Sequence, residues 1–447
     1  MTLPTPATSA TDAQSSRTFI LRVWLFIILL VAVLLRLINL SAQSFWLDEL
    51  WTIEVSAGQA SEHRSLPVDV LLTAPPDLTH AAGLHGFTRI WTGMDQIIGP
   101  PLYHIALRVW MFAFGESESA IRSFSALCSS VAVFLLFFCR RPGDPPQAAL
   151  WGCAVMAVAG PQIVYAQETR PYAMMLALGL AAVVLVQRVE RLGPTAGRLA
   201  ALWFVLLCLL LTHYFAVGAP LAVMLYAAAQ TRGRTRIALL LTAAAAGLCF
   251  AVCWLPFMSR QVPQFSVTDR AAAFLAEQSP NHLVRTGWRL ATLPISLLCD
   301  RRPIPMYYAS GLLIYLAAAV LAWRRRIWSI WPVWFAGIVA VPGVLDLLRA
   351  TRHLEYIRYS LLAGPAVYIV IAHLFFESPR FRFMAHIVPA VVVLCCVLQL
   401  RRAYDTQKPD YRAAAAVLRA SASGGDVIVF AGPRKSYAPQ VLYLGIS

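Results

Sequence analysis

The sequence has few charged residues and none of the short motifs that bind a nucleotide or a catalytic zinc ion. Only 13% of its 447 residues are charged. It contains no Walker A sequence and no GxGxxG unit, which argues against nucleotide-driven chemistry. It also lacks an HExxH sequence and a CxxC pair, and its carboxylates are too dispersed for their spacing to define a metal cage. The energy for any group transfer must therefore arrive in the donor molecule.

The nine cysteines do not indicate a disulfide framework. Nearly all of them lie inside apolar runs, where Cys behaves as a small buried hydrophobic residue. Basic residues outnumber acidic ones by 37 to 22, but no soluble domain with interleaved aromatic residues carries this excess. Nucleic acid is therefore not a predicted partner.

Apolar residues, in contrast, are abundant. They make up 59% of the chain, and the mean hydropathy is +0.64, values that are typical of a membrane protein with many spans. The first apolar run has no Ala-x-Ala cleavage site after it and is long enough to cross, so we expect a retained helix. We predict an all-α polytopic protein with eleven spans: 19–40, 119–139, 147–166, 171–187, 199–212, 214–229, 237–258, 304–323, 327–348, 359–376 and 383–400.

Arginine clusters predict the orientation of these spans, because short loops rich in Lys and Arg face the cytoplasm. The clusters at 140–141, 188–198, 232–236 and 324–326 place the N-terminus inside and the C-terminus outside. The apolar segment 100–115 then cannot cross, and we expect an interfacial helix on the outer face. This topology brings eight polar residues to that face: Asp48, Glu49, His104, Arg122, Glu168, Arg170, His213 and Arg358.

The chain divides into three parts. Residues 1–18 are predicted to be a disordered cytoplasmic N-terminus, and 19–400 the transmembrane domain. Within it, 41–118 form a first external loop with short juxtamembrane helices, and the second external loop, 259–303, has an amphipathic segment (286–298) that we interpret as a lid. Residues 401–447 form a short external α/β segment, with a helix at 411–419 and a strand at 426–430. It is too short for its own core and is interpreted as the start of a longer domain.

Asp48 and Glu49 follow the first span directly, and a carboxylate pair at a bilayer surface is costly. Neighbouring residues on a helix point about 100° apart, so only one of the two can face a reacting atom. That carboxylate would take a proton from an acceptor, while the other fixes it or binds an arginine. The alternative is a helix N-terminus stabilised by negative charge.

Residues 167–172 (QETRPY) are predicted to form a short external turn. There Arg170 could hold a phosphate in bidentate geometry, and Glu168 could orient it or bind a sugar hydroxyl. The alternative is a Glu–Arg surface pair that caps two helices. Arg122 is interpreted as a phosphate ligand, with a side chain that snorkels to the membrane surface as the alternative. His213 is interpreted as a ligand, with a structural hydrogen-bonding group as the alternative. The predicted donor-binding residues are Arg170, Glu168, Tyr172, Arg122, His104, Tyr103, His213 and Arg358.

The order of these motifs resembles the GT-C superfamily of membrane glycosyltransferases, and most of all bacterial family 39 proteins, which are related to protein O-mannosyltransferases and lipid A aminoarabinose transferases. The matching segments cover nearly the whole chain in order. One departure is Gly99, since many relatives carry a charged residue or His before the double proline. The segments are SFWLDELWT (44–52), PPLYHIALRVWMFAFGESESAIRSFSAL (100–127), QETRPYAM (167–174), THYFA (212–216), RYSLLAGPA (358–366) and DYRAAAAVL (410–418).

The resemblance implies a GT-C fold and a glycosyltransferase (EC 2.4) of the bacterial inner membrane with its active site at the periplasmic face. The donor would be a sugar on polyprenyl phosphate, the acceptor a lipid, a glycan or a protein, and membrane lipids would surround the chain. The aspartate of the family's DE pair is the catalytic base, which corresponds to Asp48. The resemblance implies no cofactor. It leaves open whether a divalent ion bridges Asp48 and the substrate phosphate. The alternative is a transporter or flippase that moves lipid-linked sugars without cleaving them; such proteins often show inverted repeats, and no convincing repeat is found here.

Overall fold

The computed structural model describes residues 8–60, 62–65, 78–81, 86–94, 99–277, 281–299, 314–316, 319, 330–376, 380, 382–405, 408–423 and 426–428. These residues form helices, turns and coil, and no strand occurs among them. We number the α-helices in chain order: α1 Thr8–Leu37, α2 Leu47–Ser56, α3 Gly86–Thr92, α4 Leu102–Phe114, α5 Glu118–Phe138, α6 Pro146–Val158, α7 Gly160–Val164, α8 Tyr172–Leu192, α9 Ala196–Leu210, α10 Gly218–Gln230, α11 Gly233–Glu277, α12 His282–Cys299, α13 Ile330–Arg349, α14 Gly364–His373, α15 Met384–Leu398, α16 Leu400–Tyr404 and α17 Tyr411–Ser421.

The apolar helices confirm a polytopic membrane protein. Among the described residues, five helical stretches are long and apolar enough to cross a bilayer: Thr18–Leu37, Glu118–Phe138, Tyr172–Leu192, Gly233–Gln261 and Ile330–Arg349. Shorter apolar stretches are Leu102–Phe114, Pro146–Val158, Ala196–Leu210, Tyr214–Gln230, Leu361–His373 and Met384–Leu398. Each predicted span overlaps one of these stretches, except 304–323, of which only 314–316 and 319 are described. The total of eleven crossings remains a prediction.

Helix α4 has the length expected for a juxtamembrane helix. Its 13 residues give about 20 Å at 1.5 Å per residue, against a hydrocarbon core about 30 Å thick. Its neighbours are α2, α3 and α5. Helices α2, α3 and α4 thus form a small helical layer between the first two spans.

A break between α6 and α7 divides the predicted span 147–166. Pro161 has no N–H, so the carbonyl of Ala157, four residues earlier, loses its helical partner. The buried Arg36 of α1 replaces that donor: its Nη1 donates to the Ala157 carbonyl at 3.1 Å and its Nη2 to that of Met156 at 3.3 Å. Its Nε donates to Ser129 Oγ at 2.8 Å. One arginine therefore links α1, α5 and α6 where the backbone is irregular.

Two boundaries differ from the sequence prediction. Helix α1 begins at Thr8, so residues 8–16 are helical instead of disordered; no Pro or Gly interrupts them, and Ala and Gln favour the helix. Helix α11 continues to Glu277, so the first part of the predicted second loop is helical. The predicted amphipathic segment of that loop lies in α12.

The described part of the C-terminal segment contains the predicted helix and no strand, and the strand predicted at 426–430 stays a prediction. Helix α17 covers 411–421, whereas residues 426–428 belong to no regular element and residues 429–430 lie outside the described ones. Ser423 N donates to the Asp426 carboxylate at 2.7 Å, and Asp426 N donates to the Ser423 carbonyl at 3.0 Å. A strand needs a paired neighbour, and the described residues contain none.

Candidate active site

Helix α2 presents its two carboxylates to different surroundings. Glu49 is fully buried, whereas the Asp48 side chain keeps 22% of its surface exposed. Both lie in the first turn of the helix, where negative charge is favourable. Trp46 N also donates to Glu49 Oε2 at 3.3 Å, which fixes the helix start. The two adjacent carboxylates therefore differ in exposure, with Glu49 buried and Asp48 partly open.

Glu49 forms a buried two-point ion pair with Arg122 of α5. Arg122 Nε donates to Glu49 Oε1 at 2.9 Å, and its Nη2 donates to Oε2 at 2.8 Å. The same guanidinium donates to the carbonyls of Leu40, Gln43 and Ser44, at 2.9, 2.6 and 3.1 Å. Arg122 is thus held among backbone oxygens and fixes the turn between α1 and α2.

The charge state of Glu49 follows from these neighbours. Burial would raise the pKa of its carboxyl, but Lys408, Arg122 and the backbone N–H of Thr169 lower the pKa to about 2. The Thr169 N–H donates to Glu49 Oε1 at 2.9 Å. Glu49 is therefore a permanent anion that joins α2 to the turn before α8.

Asp48 faces two arginines. Its Oδ2 accepts from Arg358 Nη1 at 3.5 Å and lies 4.0 Å from Arg170 Nη2. Arg170 is positioned by the same helix, since its Nη1 donates to Thr52 Oγ1 at 2.8 Å and to the Asp48 carbonyl at 3.1 Å. Burial would lower the pKa of both guanidinium groups, but Tyr172 and Asp48, among other neighbours, raise it. Asp48 thus has two fixed cations beside it.

Several polar atoms at this site have no partner. The Nε atoms of Arg170 and Arg358 and the Oε2 atom of Glu168 are buried without a hydrogen bond among the described residues. Buried donors and acceptors are costly when they are unpaired. Two Nε–H donors without a partner among the described residues are suited to an anionic ligand, since arginine N–H groups match phosphate oxygens.

Lys408 is a site residue that the sequence analysis missed. Its Nζ lies 3.4 Å from both Glu49 Oε2 and Glu168 Oε1. Burial raises the pKa of Glu168, as does Glu49, whereas Lys408 and Arg170 lower it. A signal was present in the sequence, because Lys408 is one of only two lysines among 37 basic residues, the other being Lys435.

The C-terminal segment reaches the site through contacts with the turn after α1. Ser44 Oγ donates to the Pro409 carbonyl at 3.0 Å and accepts from Tyr411 N at 3.2 Å. Arg412 donates to the carbonyl of Ser41 at 3.1 Å and pairs with Glu118 at 2.9 Å. These contacts hold Lys408 between the two glutamates.

Aromatic side chains lie on the other side of the arginines. The ring centroids of Tyr172 and His213 are 5.5 Å apart, and Phe215 stacks on His213 at 5.7 Å. His213 Nδ1 accepts from Phe215 N at 3.2 Å. Burial, with Arg170 and Arg358 nearby, lowers the pKa of His213 to about 3. His213 is therefore a neutral ring beside the cations.

His104 and Tyr103 lie behind α2 and are buried. His104 Nδ1 is 3.2 Å from Ser56 Oγ and 3.3 Å from the Thr52 carbonyl. Tyr103 OH pairs with Ser125 Oγ at 2.9 Å. These contacts hold α4 against α2 and α5. The structure therefore brings Asp48, Glu49, Glu168, Arg170, Tyr172, His213 and Arg358 together, with Arg122, Tyr103 and His104 in supporting positions.

Within the described residues, no group of three or more His, Cys, Asp or Glu side chains is placed to hold a metal ion. Glu49 and Glu168 share Lys408 between them. A divalent ion between Asp48 and a substrate phosphate remains an untested hypothesis.

Comparison with known proteins gives a match in structure only. No protein-family model and no curated protein matches the chain. Among solved structures, it is similar to the Archaeoglobus fulgidus oligosaccharyltransferase in complex with Zn and sulfate, at 13% identity and a TM-score of 0.51, over 94% of this chain and 57% of that one. A structure of AglB, an archaeal oligosaccharyltransferase from Archaeoglobus fulgidus, with an inhibitory peptide and a dolichol-phosphate matches at 12% identity and a TM-score of 0.53, over 95% of this chain and 60% of that one. Apo ArnT from Cupriavidus metallidurans matches at 12% identity and a TM-score of 0.50, over 97% of this chain and 76% of that one.

The chain has the GT-C fold. The predicted fold class is thereby confirmed, and the alignment extends over nearly the whole chain. The chain spans about three-fifths of the length of the oligosaccharyltransferase structures. At 12–13% identity the similarity is one of fold, and activity must be argued from the site.

Proposed function

We propose that the chain is a glycosyltransferase that moves a sugar from a polyprenyl-phosphate donor to an acceptor at the periplasmic face of a bacterial inner membrane. The observation that carries the proposal is the Asp48 carboxylate beside Arg170 and Arg358, whose buried Nε atoms lack partners in the described structure. The AglB structure was determined with a dolichol-phosphate, a polyprenyl phosphate. A phosphate at these arginines would place the leaving group beside a base.

In this proposal the chemistry is a single displacement. Asp48 takes the proton of the acceptor nucleophile, which bonds to the anomeric carbon while the bond from that carbon to the phosphate oxygen breaks. The electron pair leaves with the lipid phosphate, and the configuration inverts. A positioned base of this kind contributes about 10²–10⁴-fold, and fixed guanidinium groups stabilise the charge that grows on the leaving phosphate.

Arg170 and Arg358 also explain how a base can work next to two cations. When a donor phosphate binds, its oxygens compete with Asp48 for the N–H groups of both arginines. The Asp48 carboxylate is then free to accept from the acceptor hydroxyl or amine. Donor binding would thus prepare the base, while Glu49 and Glu168 orient the arginines and the helix.

Transfer and transport are distinguished by the fate of the bond between sugar and phosphate. We would reconstitute the purified protein in proteoliposomes with radiolabelled polyprenyl-phosphate sugars and supply crude cell envelope as acceptor. The proposal predicts label in an acceptor product and free polyprenyl phosphate. Intact donor that changes leaflet without cleavage would establish the transporter alternative instead.

A further inference from the structure

A second charged cavity lies at the opposite end of the helices from the candidate active site. It measures about 220 Å³, and the residues that matter here are Phe138, Arg140, Arg141, Gln187, Arg188 and Arg191. Helix α5 separates the two sites: its 21 residues span about 31 Å, close to the thickness of the hydrocarbon core. We call this cavity the arginine pocket.

Among the described residues, Arg141 is the one arginine of the pocket with a carboxylate partner. Arg141 Nη2 lies 3.5 Å from Glu190 Oε1 and donates to Tyr226 OH, which donates to Glu190 Oε2 at 2.7 Å. Arg140, Arg188 and Arg191 have no carboxylate partner in the described part of the chain, although Arg140 lies over the Phe137 ring at 5.3 Å. Three exposed arginines therefore line one cavity without a carboxylate partner among the described residues.

Gln187 is a second, independent observation that points to a ligand in the pocket. Its Nε2 donates to the Cys139 carbonyl at 2.7 Å, which fixes the amide. Its Oε1 is buried without a donor among the described residues, and the residue is only 9% exposed. A buried acceptor of this kind is costly unless a ligand supplies an N–H or O–H.

We propose that the arginine pocket binds the headgroup of a glycerophospholipid that carries a hydroxyl group, with the phosphate on Arg188 and Arg191 and the hydroxyl donating to Gln187 Oε1. A hydroxyl suits the site better than an ammonium group, because an ammonium group would be repelled by the surrounding guanidinium groups. Phe134 and Phe138, one helical turn apart on α5, are both exposed. They offer an apolar surface for the acyl chains of such a lipid.

Arginines at the ends of spans are common on one membrane face, and they need no cavity. Arg232, between α10 and α11, and Arg234, in the first turn of α11, are arginines of this kind and do not line the pocket. Like Arg188 and Arg191, they are exposed. The variant Arg232→Gln/Arg234→Gln therefore removes the same charge as Arg188→Gln/Arg191→Gln and serves as the matched control.

Native mass spectrometry of the purified protein would test the proposal with two lipids of equal charge. Dihexanoyl phosphatidylglycerol has the headgroup hydroxyls, and dihexanoyl phosphatidylethanol lacks them. We expect the glycerol lipid to bind about fivefold more tightly, the value of one hydrogen bond. Arg188→Gln/Arg191→Gln should weaken its binding by at least about tenfold, and the control pair should leave it unchanged.

Three results would overturn the proposal. Equal weakening in both double variants would mean that bulk charge attracts the lipid, and equal binding of the two lipids would remove the role of Gln187. Binding of sn-glycerol 3-phosphate as tightly as the lipid would assign the pocket to a soluble phosphate ester. Arg140→Gln alone provides a second, milder variant if the double variant fails to fold, and the readout does not depend on the proposed transferase activity.

Discussion

At the residue scale, two adjacent carboxylates differ in role because their neighbours differ. Glu49 is enclosed by Arg122, Lys408 and a backbone N–H. Asp48 keeps part of its surface open and faces two arginines that approach it only at 3.5 and 4.0 Å. A buried, fully hydrogen-bonded anion holds structure together, whereas a half-open one can exchange partners. The first is therefore a positioning residue and the second a base in our proposal.

Replacing Glu49 by Gln should destabilise the protein in a pH-dependent way. Breaking a buried pair costs about 3–5 kcal/mol, because Arg122 would remain as an uncompensated charge. The folded-state pKa of Glu49 is lowered from 4.5 to about 2, so its contribution is fully present above pH 4.5 and is lost as the pH falls toward 2. In detergent, the unfolding temperature of Glu49→Gln should be lower than that of wild type at pH 7, and this difference should become smaller below pH 4.5. A difference in unfolding temperature that stays constant down to pH 3 would contradict this assignment.

Lys408→Met should shift the pH profile of the proposed transfer reaction. The lysine lowers the pKa of Glu168, which burial raises, so its removal raises that pKa further. In our proposal the negative charge of Glu168 acts electrostatically on Arg170, and activity should therefore be lost at a higher pH on the acidic side. Lys408→Arg should restore the wild-type profile. A uniform loss of activity at all pH values in Lys408→Met would indicate a merely structural role.

Part of this site was predictable from residue types alone. Asp48, Glu168 and Arg170 are polar residues at the ends of apolar spans, and the charge-based topology placed them on one face. Lys408 and Thr52 were not predictable, because no local pattern shows that the segment after α16 folds back onto the turn after α1. The buried position of His104 was hidden for the same reason, since it depends on how α4 packs against α2.

At the element scale, the break between α6 and α7 shows how one arginine compensates for one proline. The hydropathy of 147–166 predicts a continuous span, and Pro161 alone does not show which side chain replaces the missing donor. Arg36 lies on α1, more than a hundred residues earlier in the chain. Such a pairing between distant segments is set by packing, which hydropathy does not encode.

Arg36→Met should destabilise the protein by about 2–4 kcal/mol, because it leaves the Ala157 and Met156 carbonyls unpaired in an apolar setting. Ser129 Oγ accepts from Arg36 Nε at 2.8 Å, so the double variant Arg36→Met/Ser129→Ala should lose less stability than the sum of the two single changes. Denaturation in detergent measures the free energy of unfolding of all four proteins, and Arg22→Met, an exposed arginine of the same helix, is the control. Strict additivity would mean that Arg36 and Ser129 do not interact.

At the scale of the whole molecule, composition and arginine clusters were sufficient to predict an all-α polytopic fold. They could not predict the exact residues at which the helices begin and end, because broken and tilted helices have apolar runs of irregular length. The GT-C fold followed only from a resemblance of motif order, which structural similarity at 12–13% identity then confirmed.

The predicted orientation can be tested with reporter fusions. Alkaline phosphatase, which is active only outside the cytoplasm, should be active when it is fused after Ser423 and inactive when it is fused in the loop after Arg191. A fluorescent protein that folds only inside should give the opposite pattern. The reverse result at both positions would place the candidate active site on the cytoplasmic face.

The central claim is that Asp48 acts in the chemical step and not in donor binding. We would measure donor binding and sugar transfer separately in lipid nanodiscs for wild type, Asp48→Asn and the control Glu62→Gln, which removes an exposed carboxylate from the segment between α2 and α3. The account predicts that Asp48→Asn binds the polyprenyl-phosphate sugar within about threefold of wild type but transfers it about 10²–10⁴-fold more slowly, while Glu62→Gln behaves like wild type. Full turnover by Asp48→Asn would contradict the account.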